Sequence, residues 1–294
     1  MAMILDGKRL AKEIRLDLKQ RLESQLKMGS VLPSLAVFQV GDDLASTVYI
    51  RAKRRACEEI GFDFNQYNLP ASTTMTELIK AVNEVNNDDK THGLLVQSPL
   101  PDHLNEIEVQ RLVSPRKDVD CFHPENVGLL YIGQPRFYPC TAGAVLEMLL
   151  RYDINPAGKH AVIIGRSVLV GRPLAIMLAS YGRGGNATVT LCHSRSTDIG
   201  SITRTADILI PAVGVAELVK EDWIKPGAVV IDVGINRMSD SSKKSGYRLV
   251  GDVAFEEVSP KSSAIAPVPG GVGPMTVAIL SRNLMLAAGL AAGV

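Results

Sequence analysis

The most informative segment of the chain is Ala161-Val-Ile-Ile-Gly165-Arg-Ser-Val-Leu-Val-Gly171-Arg-Pro-Leu-Ala-Ile-Met-Leu178. Its opening apolar run is typical of a buried strand, and the residues after Gly171 repeat with a helical period. The glycines at 165 and 171 permit a sharp turn and a close approach of the helix to the strand. The free backbone N–H groups of the first helical turn then face a position that suits a phosphate. The segment therefore predicts a strand, a phosphate-binding loop and a helix.

The loop departs from the pattern G-x-G-x-x-G, because Ser167 stands at the second glycine position. Strand-to-helix turns join every βα unit of a parallel sheet, so the loop alone does not distinguish a nucleotide site from an ordinary connection. A second apolar run, Ala187-Thr-Val-Thr-Leu-Cys192, follows at the place where a Rossmann unit contacts the adenosine ribose. No acid follows it to hold the ribose 2′-hydroxyl of NAD, whereas Ser194, Arg195 and Arg166 can accept a 2′-phosphate. The sequence therefore favours NADP as the cofactor.

Composition limits the classes of protein that need to be considered. The chain has 294 residues, the size of two ordinary domains, and 46% of them are hydrophobic. Because its formal net charge is +1 and both signs are interspersed, we expect neither nucleic acid nor a membrane as a partner. The four cysteines have no paired spacing, which favours a reducing, cytoplasmic compartment and argues against a metal site. The first residues lack the apolar core of an export signal, and the apolar run at 284–294 is too short to span a bilayer.

Apolar runs that suit strands alternate with helical patterns along the chain, which predicts an α/β protein with two domains. A smaller βαβαβ unit comes first, with strands near 35–40, 62–68 and 93–97 and helices near 44–60 and 74–87. A helix at 142–150 then leads to a Rossmann-like parallel sheet, with strands near 161–164, 187–192, 206–210 and 228–233 and an end near 249–252. We predict a first domain at 1–145, a second at 146–280, and a C-terminal helix at 281–294 that returns to the first domain.

Four further segments carry side chains that suit chemistry. Tyr49 and Lys53 are four residues apart on a predicted helix and share a face, although a solvated basic helix would be the ordinary explanation of such a pair. Gln97 follows a buried strand, at the edge of a parallel sheet where ligands bind. Asp120 ends the run Lys-Asp-Val-Asp on a loop. The loop at 266–276 is rich in proline and glycine and leads into a helix N-terminus. Such a composition is unusual for a simple linker and favours a functional loop.

Together these segments resemble the bifunctional methylenetetrahydrofolate dehydrogenase/cyclohydrolase family. The resemblance extends over nearly the whole chain and is carried by Tyr-x-x-x-Lys, Val-Gln-x-Pro-Leu-Pro, Lys-Asp-Val-Asp and Pro-Val-Pro-Gly-Gly-Val-Gly-Pro-Met-Thr. It implies oxidation of 5,10-methylenetetrahydrofolate to the methenyl form with NADP, followed by hydrolysis to 10-formyltetrahydrofolate in one-carbon metabolism. It also implies a homodimer, formed through the second domain.

The resemblance also implies roles for individual residues. Lys53 resembles the catalytic lysine, Gln97 its hydrogen-bond partner, and Asp120 the anchor of the pterin. Tyr49 would be the platform on which the folate ring system stacks. The expected substrate-binding residues are Tyr49, Lys53, Gln97, Asp120, Pro269 and Gly271, and the expected cofactor-binding residues are Gly165, Arg166, Ser167, Ser194, Arg195 and Ile235.

Three residues depart from the common pattern of the family. Cys121 replaces glycine, Ala142 replaces proline and Ala266 replaces threonine. Cys121 is the departure nearest the expected substrate, and a glycine at that position can adopt a backbone angle that disfavours a side chain.

Two other functions remain open at this point. A monofunctional NADP-dependent dehydrogenase would have lost hydrolysis, which the intact Tyr49, Lys53 and Gln97 argue against. A folate- or nucleotide-sensing protein could use the same fold without catalysis.

Overall fold

The computed structural model describes residues 2–243 and 246–292. Of Leu44 and Ala45 only the backbone is described. In chain order the strands are β1 (Met3–Ile4), β2 (Ser34–Val40), β3 (Asp63–Leu69), β4 (Gly93–Val96), β5 (His160–Ile164), β6 (Thr188–Cys192), β7 (Ile208–Pro211), β8 (Val229–Ile231), β9 (Asn236–Ser239), β10 (Tyr247–Val250) and β11 (Ala264–Ala266). The helices are α1 (Gly7–Lys27), α2 (Leu44–Ile60), α3 (Met75–Asn86), α4 (Glu106–Gln110), α5 (Pro124–Tyr131), α6 (Cys140–Arg151), α7 (Gly171–Ala179), α8 (Ile199–Thr203), α9 (Phe255–Val258) and α10 (Val272–Ala287), with short 3₁₀ helices at Glu221–Trp223 and Ser259–Lys261.

The chain forms two compact units, each with a parallel sheet, which confirms the predicted two-domain α/β class. One unit comprises residues 2–11 and 141–276, and we call it the six-stranded unit. The other comprises residues 12–140 and 277–292, and we call it the three-stranded unit. The functional domain limits at 1–145, 146–280 and 281–294 stay a prediction.

The three-stranded unit contains the predicted βαβαβ arrangement, with strand order β3-β2-β4 and all pairs parallel. Every residue of the central strand β2 is buried, as expected of a strand with neighbours on both sides. The helix α2 begins where Asp43 Oδ1 accepts the N–H of Ser46 at 2.7 Å, and it ends at Gly61 in the left-handed conformation. Thr74 and Glu77 form a capping box at the start of α3. Local signals in the sequence therefore fix both helices.

The sheet of the six-stranded unit is parallel, with strand order β1-β11-β8-β7-β5-β6. The prediction that this sheet ends near 249–252 is wrong. Leu249 and Val250 end β10, which pairs antiparallel with β9 in a separate two-stranded sheet. Only Val250 is buried in β10, whereas all of β11 is buried, as expected of a strand with neighbours on both sides. Neither β1 nor β11 was predicted from the sequence.

The end of the chain also differs from the prediction of a helix over 281–294. The last helix, α10, ends at Ala287. Gly289 follows with a φ of 72°, and the N–H of Leu290 returns to the carbonyl of Met285 at 3.0 Å, which closes the helix in the way a glycine usually does. Residues 293–294 lie outside the described part of the chain. Across the described ranges, none of the helices has both the length and the apolar character needed to cross a membrane.

Candidate functional site

Lys53 and Gln97 are in direct contact in the three-stranded unit. Lys53 Nζ donates to Gln97 Oε1 at 3.0 Å, and its side chain is only 11% exposed. Gln97 directly follows β4, and its backbone N–H donates to the carbonyl of Phe38 at 2.9 Å. Gln97 Nε2 donates to the carbonyl of Ser98 at 2.7 Å, so the amide is oriented with its oxygen towards the lysine. The ammonium group is thus held at the carboxyl edge of the sheet, where α/β proteins bind ligands.

Asp120 is the third member of this group. Its Oδ2 lies 4.0 Å from Lys53 Nζ, and its side chain is 19% exposed. The loop that carries it is anchored by Asp118, which accepts the N–H groups of Phe122 at 3.1 Å and His123 at 2.8 Å. Burial raises the pKa of the Asp118 carboxyl to about 6, although these donors act in the opposite direction. The buried carboxylate of Asp118 therefore supports the loop that carries the partly exposed Asp120.

Cys121 adopts the backbone angle that its family position suggests. Its φ is 65°, in the left-handed region that glycine adopts without strain. Its Sγ donates to the carbonyl of Phe137 at 3.3 Å. Burial, reinforced by the charges of Asp118 and Asp120, raises the pKa of this thiol, which disfavours the nucleophilic thiolate.

Asn283, which was not singled out from the sequence, supports the Asp120 loop, and Cys140 lies beside it. Asn283 Nδ2 donates to the carbonyls of Val119 at 2.8 Å and Tyr138 at 2.9 Å, and it lies 3.8 Å from Cys140 Sγ. Burial and the charge of Asp120 raise the pKa of the Cys140 thiol well above its ordinary value. Asn283 could have been found as a polar residue beside the apolar run that starts at Leu284, because such a residue needs partners when it is buried.

The ring of Tyr49 is available for stacking. It lies one helical turn before Lys53 on α2, and 44% of the residue is exposed. An exposed aromatic ring one helical turn from a lysine suits the face of a flat heterocycle. The structure thus brings Lys53, Gln97 and Asp120 together and places Tyr49 on the same helix as the lysine.

The loop after β5 has the form of a phosphate cradle. Gly165 has a φ of 118°, and a Cβ there would overlap the carbonyl oxygen of Ala212. A Cβ at Gly171, the first residue of α7, would overlap the carbonyl oxygen of Gly165. The N–H groups of Val170 and Arg172 are taken by the Ser167 hydroxyl and carbonyl, each at 3.1 Å, and Pro173 has none, so the N–H of Gly171 is the one that the first turn of α7 offers an anion, with Arg166 and Ser167 exposed on the same loop. Both positions therefore require glycine because a neighbouring backbone carbonyl occupies the space that a side chain would need, and not only because glycine is flexible.

The loop after β6 starts beside this cradle. The N–H of Gly165 donates to the carbonyl of Cys192 at 2.9 Å, which joins the ends of β5 and β6. The turn that follows is held by Ser196, whose N–H donates to the carbonyl of His193 at 2.7 Å. Ser194 and Arg195 are exposed on this turn, and no acid lies within it. A hydroxyl and a guanidinium are thus available to a phosphate group, which fits NADP better than NAD.

The remaining predicted residues also lie in the six-stranded unit. Ile235 follows β8 and is 44% exposed. Pro269 and Gly271 lie on the loop after β11, where the N–H of Gly271 donates to the carbonyl of Pro267 at 2.8 Å. These residues border a cavity of about 120 Å³, which is lined by Asp232–Ile235, Leu249 and Pro267–Pro274. Pro269 and Gly271, expected to bind substrate, are therefore in a different unit from Lys53.

Two family models match this chain. One, described as "Tetrahydrofolate dehydrogenase/cyclohydrolase, catalytic domain", matches residues 5–120. The other, described as "Tetrahydrofolate dehydrogenase/cyclohydrolase, NAD(P)-binding domain", matches residues 139–292. Together they account for most of the chain.

The chain is also similar to named proteins over nearly its full length. It is 50% identical to the bifunctional protein FolD of Chlorobium phaeobacteroides (strain BS1), over 96% of this chain and 95% of that protein. The crystal structure of the bifunctional enzyme FolD from Campylobacter jejuni matches with a TM-score of 0.92 and 46% identity, covering 98% of this chain and 99% of the other. The Trypanosoma brucei enzyme, solved with NADP and an inhibitor, matches with a TM-score of 0.92 and 38% identity, covering 98% and 97%.

Proposed function

The chain belongs to the tetrahydrofolate dehydrogenase/cyclohydrolase family, and from the geometry around Lys53 we propose how its residues perform both reactions of that family. It is an NADP-dependent enzyme that oxidises 5,10-methylenetetrahydrofolate to the methenyl form and hydrolyses this to 10-formyltetrahydrofolate. The observation that carries the assignment of roles is the contact of Lys53 with Gln97 at 3.0 Å, next to Asp120. Without this contact, α2 would be explained as an ordinary solvated basic helix.

Asp120 anchors the substrate. The aminopyrimidine edge of a pterin presents two parallel N–H donors, and one carboxylate can accept both. The partial exposure of Asp120 and its support by the Asp118 loop favour this role, because a carboxylate that is exposed but fixed loses little freedom on binding. Tyr49 then supplies the flat surface on which the ring system stacks.

Lys53 moves the proton in hydrolysis. Attack of water on the methenyl cation releases one proton and gives a neutral carbinolamine. When its C–N bond breaks, the hydroxyl loses its proton and the departing ring nitrogen gains one, so one proton is released overall. An amine that Gln97 holds within hydrogen-bond reach of the bound substrate can serve both needs in turn. Gln97 is therefore a positioning residue, because its amide oxygen fixes the direction of Nζ.

The loops after β5 and β6 hold the cofactor. The glycine-bounded loop at 165–171, with the N–H of Gly171 at the start of α7, suits the pyrophosphate, and Ser194, Arg195 and Arg166 suit the 2′-phosphate. When bound, NADP supplies the acceptor for the hydride. Oxidation moves no proton, so the chain contributes to that step by positioning the substrate and the cofactor. We propose that Ser167 and Ile235 also bind the cofactor, and that Pro269 and Gly271 also bind the substrate.

We further propose that the enzyme is a cytoplasmic homodimer whose product supplies purine and amino-acid biosynthesis. Free thiols at Cys57, Cys121, Cys140 and Cys192 support a reducing compartment. β6 forms one edge of its sheet, which supports an interface on the six-stranded unit. Light scattering on the purified protein should give twice the mass of the chain, and a monomer at micromolar concentration would contradict the dimer.

The proposed activity is tested with two assays on the wild-type protein. Initial rates of oxidation are compared with NADP and with NAD, and hydrolysis of added methenyltetrahydrofolate is followed without any cofactor. We expect oxidation that prefers NADP and hydrolysis well above the spontaneous rate. Oxidation without enzymatic hydrolysis would leave a monofunctional dehydrogenase, and binding without either reaction would indicate a sensing protein.

A further inference from the structure

Two buried aspartates at the carboxyl edge of the six-stranded sheet have no part in the roles assigned above. Asp232 directly follows β8 and is 4% exposed, and Asp252 follows β10 and is 0% exposed. A buried carboxylate is costly unless several donors compensate it. Both aspartates are compensated almost wholly by backbone N–H groups, so their function is to hold the main chain.

Asp252 holds two segments at once. Its Oδ2 accepts the N–H groups of Val213 at 2.7 Å and Gly214 at 3.1 Å, on the loop after β7. Its Oδ1 accepts the N–H of Val215 at 2.9 Å and Asn236 Nδ2 at 3.0 Å. The carboxylate thereby links the loop after β7 to the segment after β8.

Asp232 holds Asp252 in turn. Its Oδ1 accepts the backbone N–H groups of Gly234 and Asp252, each at 3.0 Å, and its Oδ2 accepts the N–H of Val253 at 2.9 Å. A Cβ at Gly234 would overlap the Asp252 carboxylate, and a Cβ at Gly251 would overlap the Asp232 carboxylate. The two carboxylates are therefore enclosed by main chain, and neither loop can shift without breaking several hydrogen bonds.

The segments held in this way border the predicted cofactor positions. The loop after β7 begins at Ala212, whose carbonyl oxygen occupies the space beside Gly165 in the phosphate cradle. Gly234 and Asn236 are the immediate neighbours of Ile235 in sequence, and both are bonded to the aspartate pair. The pair thus supports the backbone on both sides of the edge at which α/β proteins bind nucleotides.

We propose that Asp232 and Asp252 are positioning residues for NADP, which fix the loops after β7 and β8 in the conformation that binds the cofactor. This inference rests on the proposed function, because it assumes that the cofactor binds at this edge. Neither carboxylate contacts the reacting atoms. Their effect passes through the backbone at Val213–Val215 and around Ile235.

The test uses Asp252→Asn in the full-length protein. The amide has nearly the same shape, but in either orientation its NH₂ group faces two N–H donors in place of an acceptor. We expect the NADP dissociation constant and the KM for NADP to rise at least about tenfold, which corresponds to about 1.4 kcal/mol. Hydrolysis of added methenyltetrahydrofolate should keep its wild-type rate per folded molecule, because NADP takes no part in it.

Asp207→Asn is the matched control. Asp207 is also in the six-stranded unit and also accepts a backbone N–H, from His160 at 2.9 Å, as well as Lys225 Nζ at 2.7 Å. It precedes β7, whereas the loop held by Asp252 follows that strand, so it lies at the opposite edge of the sheet. This variant should lose stability without any change in the NADP constant.

Each outcome decides the proposal. A selective rise in the NADP constant supports it, whereas an unchanged constant, or equal losses in oxidation and hydrolysis, overturns it. If Asp252→Asn does not fold, Asp232→Asn provides the same test with an expected rise of about fivefold, because Asp232 also accepts backbone N–H groups with both oxygens but acts on the loops through Asp252. A wild-type protein without NADP-dependent oxidation would overturn the proposed function as well.

Discussion

Lys53→Met should separate the two activities at one side chain. Methionine keeps much of the lysine stem and removes the amine that lies 3.0 Å from Gln97 Oε1. Loss of a general base typically costs about 10²–10⁴ in rate, or about 2.7–5.4 kcal/mol in the barrier, and we expect hydrolysis to fall by this factor. Oxidation should fall less, because it transfers a hydride and no proton.

The cost to the fold should be much smaller than the cost to hydrolysis. The substitution leaves the Gln97 amide oxygen without its charged donor, but Gln97 is partly exposed and water can replace the lysine. Loss of one such hydrogen bond lowers the free energy of unfolding by about 0.5–1.5 kcal/mol. Chemical denaturation of both proteins measures this difference, so a loss of rate can be corrected for any unfolded fraction.

The assay follows NADPH and methenyltetrahydrofolate together, starting from 5,10-methylenetetrahydrofolate. The variant should produce NADPH and accumulate the methenyl form. Lys80→Met is the matched control, because Lys80 is exposed on α3 in the same unit and should change neither rate. If Lys53→Met hydrolyses added methenyltetrahydrofolate at the wild-type rate, Lys53 takes no part in the proton transfer and the reasoning is refuted.

Three further predictions concern the remaining groups. Arg166→Ala and Arg195→Ala should each weaken NADP binding by about one to two decades, or about 1.5–3 kcal/mol, and leave NAD binding unchanged; equal losses for both cofactors would contradict the 2′-phosphate contact. Asp120→Asn should weaken folate binding and spare NADP binding, since an amide accepts only one of the two pterin donors; separate titrations of the two ligands measure this, and a matching loss of NADP affinity would indicate misfolding. Because burial raises the pKa of Asp118 to about 6, its charge destabilises the folded state increasingly as pH rises from about 4 to 6, by about 3 kcal/mol. Asp118→Asn should remove this part of the pH dependence of unfolding, and an identical pH profile in both proteins would count against it.

Much of the fold was predictable because its signals are local. Apolar runs located β2, β4 and β5, and helical patterns located α2 and α3, whose starts the structure shows to be capped by Asp43 and Thr74. The elements that were missed are short and acquire their identity from distant partners. β1 has two residues and is a strand only because Met3 and Ile4 pair with β11, more than two hundred residues away in sequence.

The candidate site divides in the same way. Lys53, Gln97 and Asp120 were found because each belongs to a motif with a recognisable residue type and spacing. The groups that hold them were not, because Asn283 reaches Val119 and Asp252 reaches Val213 only through tertiary structure. A buried carboxylate that accepts backbone N–H groups has no signature in sequence apart from its position after a strand.

The most direct test of the bifunctional assignment follows three products in one reaction. Wild-type protein is mixed with 5,10-methylenetetrahydrofolate and NADP, and NADPH, methenyltetrahydrofolate and 10-formyltetrahydrofolate are measured over time. We predict that NADPH equals the sum of the two folate products at every time, and that the formyl product forms much faster than spontaneous hydrolysis of the methenyl form allows. Formation of NADPH with the formyl product appearing only at the spontaneous rate, or no NADPH at all, would contradict the assignment.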